Sequence, residues 1–403
     1  MAQGILSGIQ VIDMATYIFG PASTTVMSDF GAEVIKIESP GIGDPYRYAH
    51  NVTPFPPSEL DYMFQHDNRN KRGMVLDMKV DAGHEVLLDL IHTTDVFVTN
   101  FPPRVLERLK IRYEDLASAN ERLIYAQVTG YGENGDEIDK PGFDATAYWA
   151  RTGLMDLVRT PGDEPALSAA GMGDHPSAMA LFSGIVLALY RREKTGKGGK
   201  VSSSLLANGA WANSCMIASM LAGCSPFEGI RRDDPPNALI NQYLTRDERW
   251  ILLIVIQPDK DWPRFAAALG HPEWLDDACF AEVRARLENA QALAQEIQAT
   301  FETKDFAKWK QILDDAKITF GVVGRTEEAP HDAQMRANDF FVGFEHETLG
   351  KVEVVNSPIW LQGETKRQPQ RAPQLGEHTD EVLAELGYDS DKVSALRKSG
   401  ALG

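Results

Sequence analysis

The chain has 403 residues, 43% hydrophobic and 24% charged, a balance that supports a full core and excludes disorder, collagen and coiled coil as overall descriptions. Forty lysines and arginines against 58 aspartates and glutamates give a formal net charge of -18, so phosphate backbones and anionic lipid surfaces repel the molecule, and neither nucleic-acid nor membrane binding is expected. Cys215, Cys224 and Cys279 form no C-x-x-C pair and the N-terminus MAQGILSGIQ lacks the features of a signal peptide, so no zinc site or disulfide framework is expected and the cytoplasm is the expected compartment.

Strands and helices alternate through the first half. IQVIDMA (9–15) reads as a buried strand, followed by a helix that begins near Pro21 and ends at Gly31. AEVIKIE (32–38) and RGMVLDM (72–78) read as strands, then AGHEVLLDLIHTT (82–94) as a helix. DVFVTNF (95–101) and RLIYAQVTGYG (122–132) are further strands. This alternation predicts βαβ units and a mostly parallel sheet. A long apolar helix covers 177–196, but its run LFSGIVLALY falls short of the roughly 18 residues a bilayer requires. KVSSSLL (200–206) reads as a strand and 207–223 as one helix. Residues 223–245 are polar and proline-rich and read as a linker. Beyond it, 246–330 reads as a smaller α+β unit, with WILLIVI and ITFGVVG as strands. Residues 331–403 hold short strands and a last helix starting at HTDEVLAELG. The expected layout is a large α/β domain from 1–222 plus 331–403 and a small α+β domain between.

The candidate chemistry is sparse. The turn after the first strand, ATYIFGPAS, has no G-x-G-x-x-G, so a nicotinamide dinucleotide site is not supported although Glu38 ends the second strand where a ribose-binding acid would stand. The loop 194–200 lacks P-loop spacing and reads as a solvated turn. The nine histidines include no H-E-x-x-H and no compact cluster, so no metal is expected, and no G-x-S-x-G marks a serine hydrolase. The informative stretch is Ala170-Gly-Met-Gly-Asp-His-Pro-Ser-Ala-Met179. Asp174 stands between Gly173 and a very apolar helix. Its carboxylate suits a helix cap accepting free N–H groups, and equally a nucleophile exposed at a glycine turn, with neighbouring N–H groups stabilising an oxyanion.

Segments in order along nearly the whole chain resemble the class III CoA-transferases of CaiB/BaiF type. They are 8–47, NKRGMVLDMK, DVFVTNFPPRVLERL, QVTGYG, PGFDATAYWARTG, 173–201 and APQLGEHTDEVLAELG. The resemblance implies a Rossmann-like large domain with a smaller α+β domain, assembled as an interlocked homodimer. It implies no permanently bound cofactor, with a coenzyme A thioester and a small carboxylic acid as substrates. It makes Asp174 the nucleophile, carrying first an acyl group and then CoA. Coenzyme A contacts carry over to Ile18 and Phe19 in the first strand-to-helix turn, and to Ser39 after the second strand, where many relatives have Arg. They also carry over to Leu76 through Lys79, to Asn100, Phe101 and Pro102, to Arg108, and to Thr129 through Gly132, including Tyr131. Lys79 and Arg108 also suit plain solvated surface positions.

The chain departs from the family at three places. Members that act on formyl-CoA and oxalate carry Gln at the position of Ile18 and a glycine-rich lid within 223–245, and both are missing here. The α-methylacyl-CoA racemases of the same fold need a proton-transferring His where this chain has Phe143, and a phenyl ring moves no proton. Besides the transferase, the alternatives are therefore such a racemase, which Phe143 opposes, and a non-catalytic CoA-binding protein, which the intact Gly-Asp turn opposes.

Overall fold

Six short runs pair into one parallel sheet. They are β1 (Gln10–Met14), β2 (Glu33–Glu38), β3 (Arg72–Val75), β4 (Val96–Thr99), β5 (Ile124–Thr129) and β6 (Gly199–Ser204), in the spatial order β3-β2-β1-β4-β5-β6. The register sets Ile12 beside Ile35 on one side and Phe97 on the other. Helices cover parallel strands on both faces, so strands such as β4 are buried along their whole length and read as continuous apolar runs. The computed structural model describes residues 4–52 and 54–402.

The helices between these strands are α1 (Phe19–Asp29), α2 (Tyr62–Asn68), α3 (Asp81–Ile91), α4 (Pro103–Leu109), α5 (Tyr113–Ala117), α6 (Leu154–Leu157) and α7 (Asp174–Thr195). A π-helical turn lies at Asp144–Ala150. All eleven residues of α1 are buried, so it shows no polar stripe. α7 ends at Gly196, whose φ of 75° is a left-handed cap that glycine adopts without strain. The span 207–223, expected as one helix, divides into α8 (Leu205–Ala212) and α9 (Ser214–Leu221). The break falls at buried Asn213, whose amide donates to the Thr152 carbonyl at 2.8 Å.

The chain forms two compact units. The first comprises Met1–Asp156, Ala166–Ser225 and Ala333–Gly403. Its tail holds α14 (Ala333–Ala337), the hairpin β10 (Phe341–His346) and β11 (Gly350–Val355), α15 (Thr379–Glu385) and α16 (Ser390–Ser399). The tail completes the core of the sheet: Val382, Leu383, Leu396 and Leu402 pack with Val86, Leu87, Leu90 and Phe97. The Asp389 carboxylate caps α16, accepting from the Lys392 N–H at 2.9 Å; the sequence reading missed this helix. The second unit comprises Leu157–Pro165 and Pro226–Asp332. It holds the antiparallel strands β7 (Ile240–Leu244), β8 (Trp250–Ile254) and β9 (Phe320–Val322), with α10 (Pro258–Leu269), α11 (Val283–Glu288), α12 (Ala290–Phe301) and α13 (Phe306–Asp315). Trp262, Phe265, Trp274, Phe301 and Trp309 fill its core. The stretch 223–245, read as linker from its prolines and charges, thus contains a strand: Tyr243 in β7 is fully buried.

Candidate active site

In a parallel sheet whose strand order reverses, the first and fourth strands carry their chains to opposite sides, and a crevice opens at their C-terminal ends. Here that point lies between β1 and β4. The Asn100 side chain spans it: its amide donates to the Thr16 carbonyl at 2.8 Å and its oxygen accepts the Thr16 N–H at 3.0 Å. The crevice is lined by Tyr17, Ile18, Phe19, Asn100, Thr129, Phe143 and Asp174 among others. Tyr17 sits at φ 63°, a left-handed conformation uncommon for an aromatic residue, with its N–H donating to Asp44 Oδ1 at 3.1 Å. Its ring meets Phe143 edge-on at 5.6 Å, giving the crevice an aromatic wall.

Ion pairs beneath this turn hold it in place. Lys36 is fully buried, donates to the Ala15 carbonyl at 2.9 Å and pairs with Asp44 at 3.0 Å. Lys71, also fully buried, pairs with Asp13 at 2.8 Å and donates to the carbonyls of Pro21 and Asp67. Glu38 binds Arg47 through both carboxylate oxygens, at 2.6 and 2.8 Å, and accepts the Asp44 N–H. The acid that stands at the ribose position is therefore committed to a structural pair.

Asp174 is the first residue of α7, with Gly173 in the cap position. Its side chain does not cap the helix. That role falls to Asp144, at the start of the π-helical turn, whose two carboxylate oxygens accept the Gly173 N–H at 3.0 and 3.1 Å. This corrects two expectations: Asp174 is not the cap, and the Gly173 N–H next to it is already occupied and not free for an oxyanion. Gly173 is required by space, because a Cβ there would lie 2.5 Å from Asp144 Oδ1 and from Tyr148 Cγ. Burial raises the Asp174 carboxyl, the Asp144 charge raises it further and His175 opposes, leaving it at about 7. Asp174 can therefore titrate near neutrality.

The other sequence-derived residues fall along the same sheet edge. Ser39, Leu76, Lys79, Phe101 and Arg108 line a second cleft at the ends of β2, β3 and β4, together with Met14 and Ile37. Leu76 is 1% exposed and belongs to the core, so it offers a ligand little but backbone. Ile18 and Phe19 are likewise buried at 5%. Asn100 spends its amide on Thr16, and Thr129 Oγ1 accepts the Gly132 N–H at 3.0 Å. Pro102 caps α4, and Tyr131 carries the Lys140 ammonium 4.9 Å from its ring centroid; neither lines either cleft.

Sequence reading missed Asp144, Asp67, His66, His175 and Tyr46. His66, Asp67 and His175 bring one donor atom each within 4.8 Å of one another, and His175 Nε2 lies 3.0 Å from Asp67 Oδ1. Two signals were available: Asp144 directly follows Phe143 and His175 directly follows Asp174. Asp67 is 108 positions from His175, and nothing local in the sequence joins them.

This fold and site define a CoA-transferase of the third class. The model of CoA-transferase family III matches residues 6–379. The chain is 33% identical to (R)-2-hydroxy-4-methylpentanoate CoA-transferase of Clostridioides difficile, covering 98% of each chain. It is 32% identical to cinnamoyl-CoA:phenyllactate CoA-transferase of Clostridium sporogenes, covering 98% of this chain and 96% of that one. Among solved structures, a CAIB/BAIF family protein from Brucella suis superposes with a TM-score of 0.84 at 25% identity, over 96% of this chain and all of the other. The chain belongs to CoA-transferase family III and is a CoA-transferase. Among the described residues, no helix is long and apolar enough to cross a membrane.

Proposed function

We propose that the protein moves CoA from an acyl-CoA to a free carboxylic acid through covalent intermediates on Asp174. The Asp174 carboxylate attacks the thioester carbonyl; the carbon–sulfur bond breaks, leaving an aspartyl–acyl anhydride and the CoA thiolate. The thiolate then attacks the aspartyl carbonyl, the donor acid leaves as its carboxylate, and an aspartyl thioester remains. The acceptor carboxylate attacks that thioester and the thiolate returns to the acceptor's acyl carbon, which restores Asp174. A thioester and a carboxylate stand on each side of the balance, so no external energy source enters. Water must be kept out, because both intermediates hydrolyse. The observation that carries the reading is Asp174 at the start of α7, lining a crevice at the strand-order reversal.

Coenzyme A lies, on this reading, along the sheet edge from Ser39, Leu76, Lys79, Phe101 and Arg108 to Ile18, Phe19, Asn100 and Thr129, with Pro102 and Tyr131 beside it. Lys79 and Arg108, both exposed, supply the positive charge its phosphates need. Two relatives are named for 2-hydroxy acids with branched-alkyl or aryl side chains. The aromatic wall of Tyr17 and Phe143 suits an acceptor of that apolar kind. Racemisation is opposed by Phe143, which brings no titratable group to the crevice.

The working unit is a homodimer, in a cytoplasmic setting that suits three free, exposed cysteines. Apolar residues uncovered on three successive helices support the dimer: Leu187 and Tyr190 on α7, Trp211 on α8 and Leu221 on α9.

Intact-protein mass spectrometry after mixing with a panel of acyl-CoAs tests the chemistry. The expected result is an acyl- or CoA-sized mass gain that maps to Asp174, disappears with hydroxylamine and is absent in Asp174→Ala. Transfer activity fully retained in Asp174→Ala would overturn the assignment.

A further inference from the structure

The ring of His175 meets an acceptor on each side. Its Nδ1 lies 3.0 Å from the Gly171 carbonyl oxygen and its Nε2 lies 3.0 Å from Asp67 Oδ1. A carbonyl and a carboxylate can only accept, so both nitrogens must donate, whereas a neutral imidazole has one N–H to give. The contacts therefore call for the imidazolium. Asp67 is built to hold it. It is 1% exposed, and its other oxygen accepts the Tyr46 hydroxyl at 3.1 Å. Burial alone would raise the Asp67 carboxyl, but the His175 charge and the hydrogen bonds from His175 and Tyr46 hold it below the ordinary carboxylate range.

Every other titratable neighbour is consistent with a charged His175. The His66 ring stands 5.2 Å away, and burial with the nearby Arg69 and His175 charges pulls it to about 4, so it is neutral and does not compete for Asp67. Asp174 and Asp144, in their ionised forms, each attract a positive charge on His175. Burial pulls His175 itself down, but Asp67 overrides it and lifts it to about 9. The ring also lies close over Gly171, at φ 82°, where a Cβ would come within 2.7 Å of Nδ1. The imidazolium thus grips the turn that delivers Asp174 to the crevice.

We propose that His175 is a positioning residue of the transfer reaction: a standing imidazolium, clamped between Asp67 and the Gly171 carbonyl, that fixes the turn carrying Asp174 and favours the charged form of that carboxylate for attack. It rests on the reading of Asp174 as the acyl carrier. Nothing in this role requires His175 to touch substrate. It supplies a fixed positive charge in the position where burial and Asp144 would otherwise protonate the nucleophile.

The test joins two readouts on the full-length protein. Imidazole NMR, with the His175 signal identified by its loss in His175→Gln, follows the ring proton against pH. In parallel, the rate of adduct formation on Asp174 is measured across the same range. The expected wild-type ring titrates near 9, and in Asp67→Asn it falls toward the ordinary histidine value of 6.5. The adduct rate should show an acid limb near 7 and an alkaline limb near 9, with the alkaline limb following the ring downward in Asp67→Asn. His175→Gln should abolish the alkaline limb and move the acid limb above 7; His175→Lys, which restores a cation, should bring the acid limb back. A ring that is neutral at pH 7 overturns the proposal, as does an alkaline limb unmoved in Asp67→Asn. Stoichiometric zinc binding lost in both His66→Ala and His175→Gln overturns it too, because a metal on Nε2 excludes the proton there. An adduct that never forms while the ring still titrates near 9 overturns instead the role of Asp174, and the positioning role falls with it.

Discussion

Replacing Asp144 by Asn keeps the size of the side chain and removes its charge. The substitution separates two things Asp144 does: it accepts the Gly173 N–H, and it raises the Asp174 carboxyl. An amide presents one accepting oxygen and turns its NH2 toward the helix N–H groups, so the start of α7 should lose about 1–3 kcal/mol. The electrostatic effect has the opposite sense for reactivity. With the like charge gone, the Asp174 carboxylate needs less help to ionise, and the acid limb of adduct formation should move below 7. Thermal unfolding and the pH dependence of the adduct rate measure the two effects separately. An acid limb that stays at 7 would mean that burial, not Asp144, sets the state of the Asp174 carboxyl.

At the scale of elements, α7 and the π-helical turn meet through one glycine. A Cβ on Gly173 would strike Asp144 Oδ1 and the Tyr148 ring, both inside 2.8 Å, and Tyr148 is buried and cannot swing aside cheaply. Gly173→Ala should therefore cost about 1–3 kcal/mol and slow adduct formation at least tenfold, by moving the first turn of α7 away from the crevice. An adduct rate within twofold of wild type would show that the turn tolerates displacement. The same elements explain what could be read in advance. β4 and β5 were legible because strands buried on both faces are near-continuous apolar runs, as in VFVT of β4. The start of α7 was legible as a glycine turn before an apolar helix, and Asp174 was singled out on that basis. Its capping partner was not, because Asp144 lies 29 positions from Gly173 and the bond exists only once two elements pack. β7 was lost to its surroundings: the prolines and charges of 223–245 outweighed the short alternation in INQYL, where only Asn241 and Tyr243 are buried. α16 was missed because its one strong local signal, Asp389 at the cap, precedes a helix with few apolar residues.

For the molecule as a whole, the exposed apolar side chains of α7, α8 and α9 need an account. Leu187 is 69% exposed, Trp211 80% and Leu221 85%, and every residue of α9 is exposed or half-buried. Single exposed leucines are ordinary, but a helix with the sequence SCMIASML and no buried residue has no reason to form in water alone. The homodimer proposed above would supply the reason, with a second copy of the chain covering it. Each large side chain covered contributes about 1.5–3 kcal/mol, so charges at two such positions on each copy should weaken association by at least a hundredfold. Sedimentation equilibrium on the wild type should give about twice 44.5 kDa, and Trp211→Asp combined with Leu221→Asp should give 44.5 kDa at the same concentration. Because these positions lie away from the core of the sheet, the variant's circular dichroism should match the wild type, which distinguishes a lost partner from a lost fold. A wild-type chain that sediments at 44.5 kDa would remove the homodimer from the proposed function, and a double variant still at twice that mass would place the interface elsewhere.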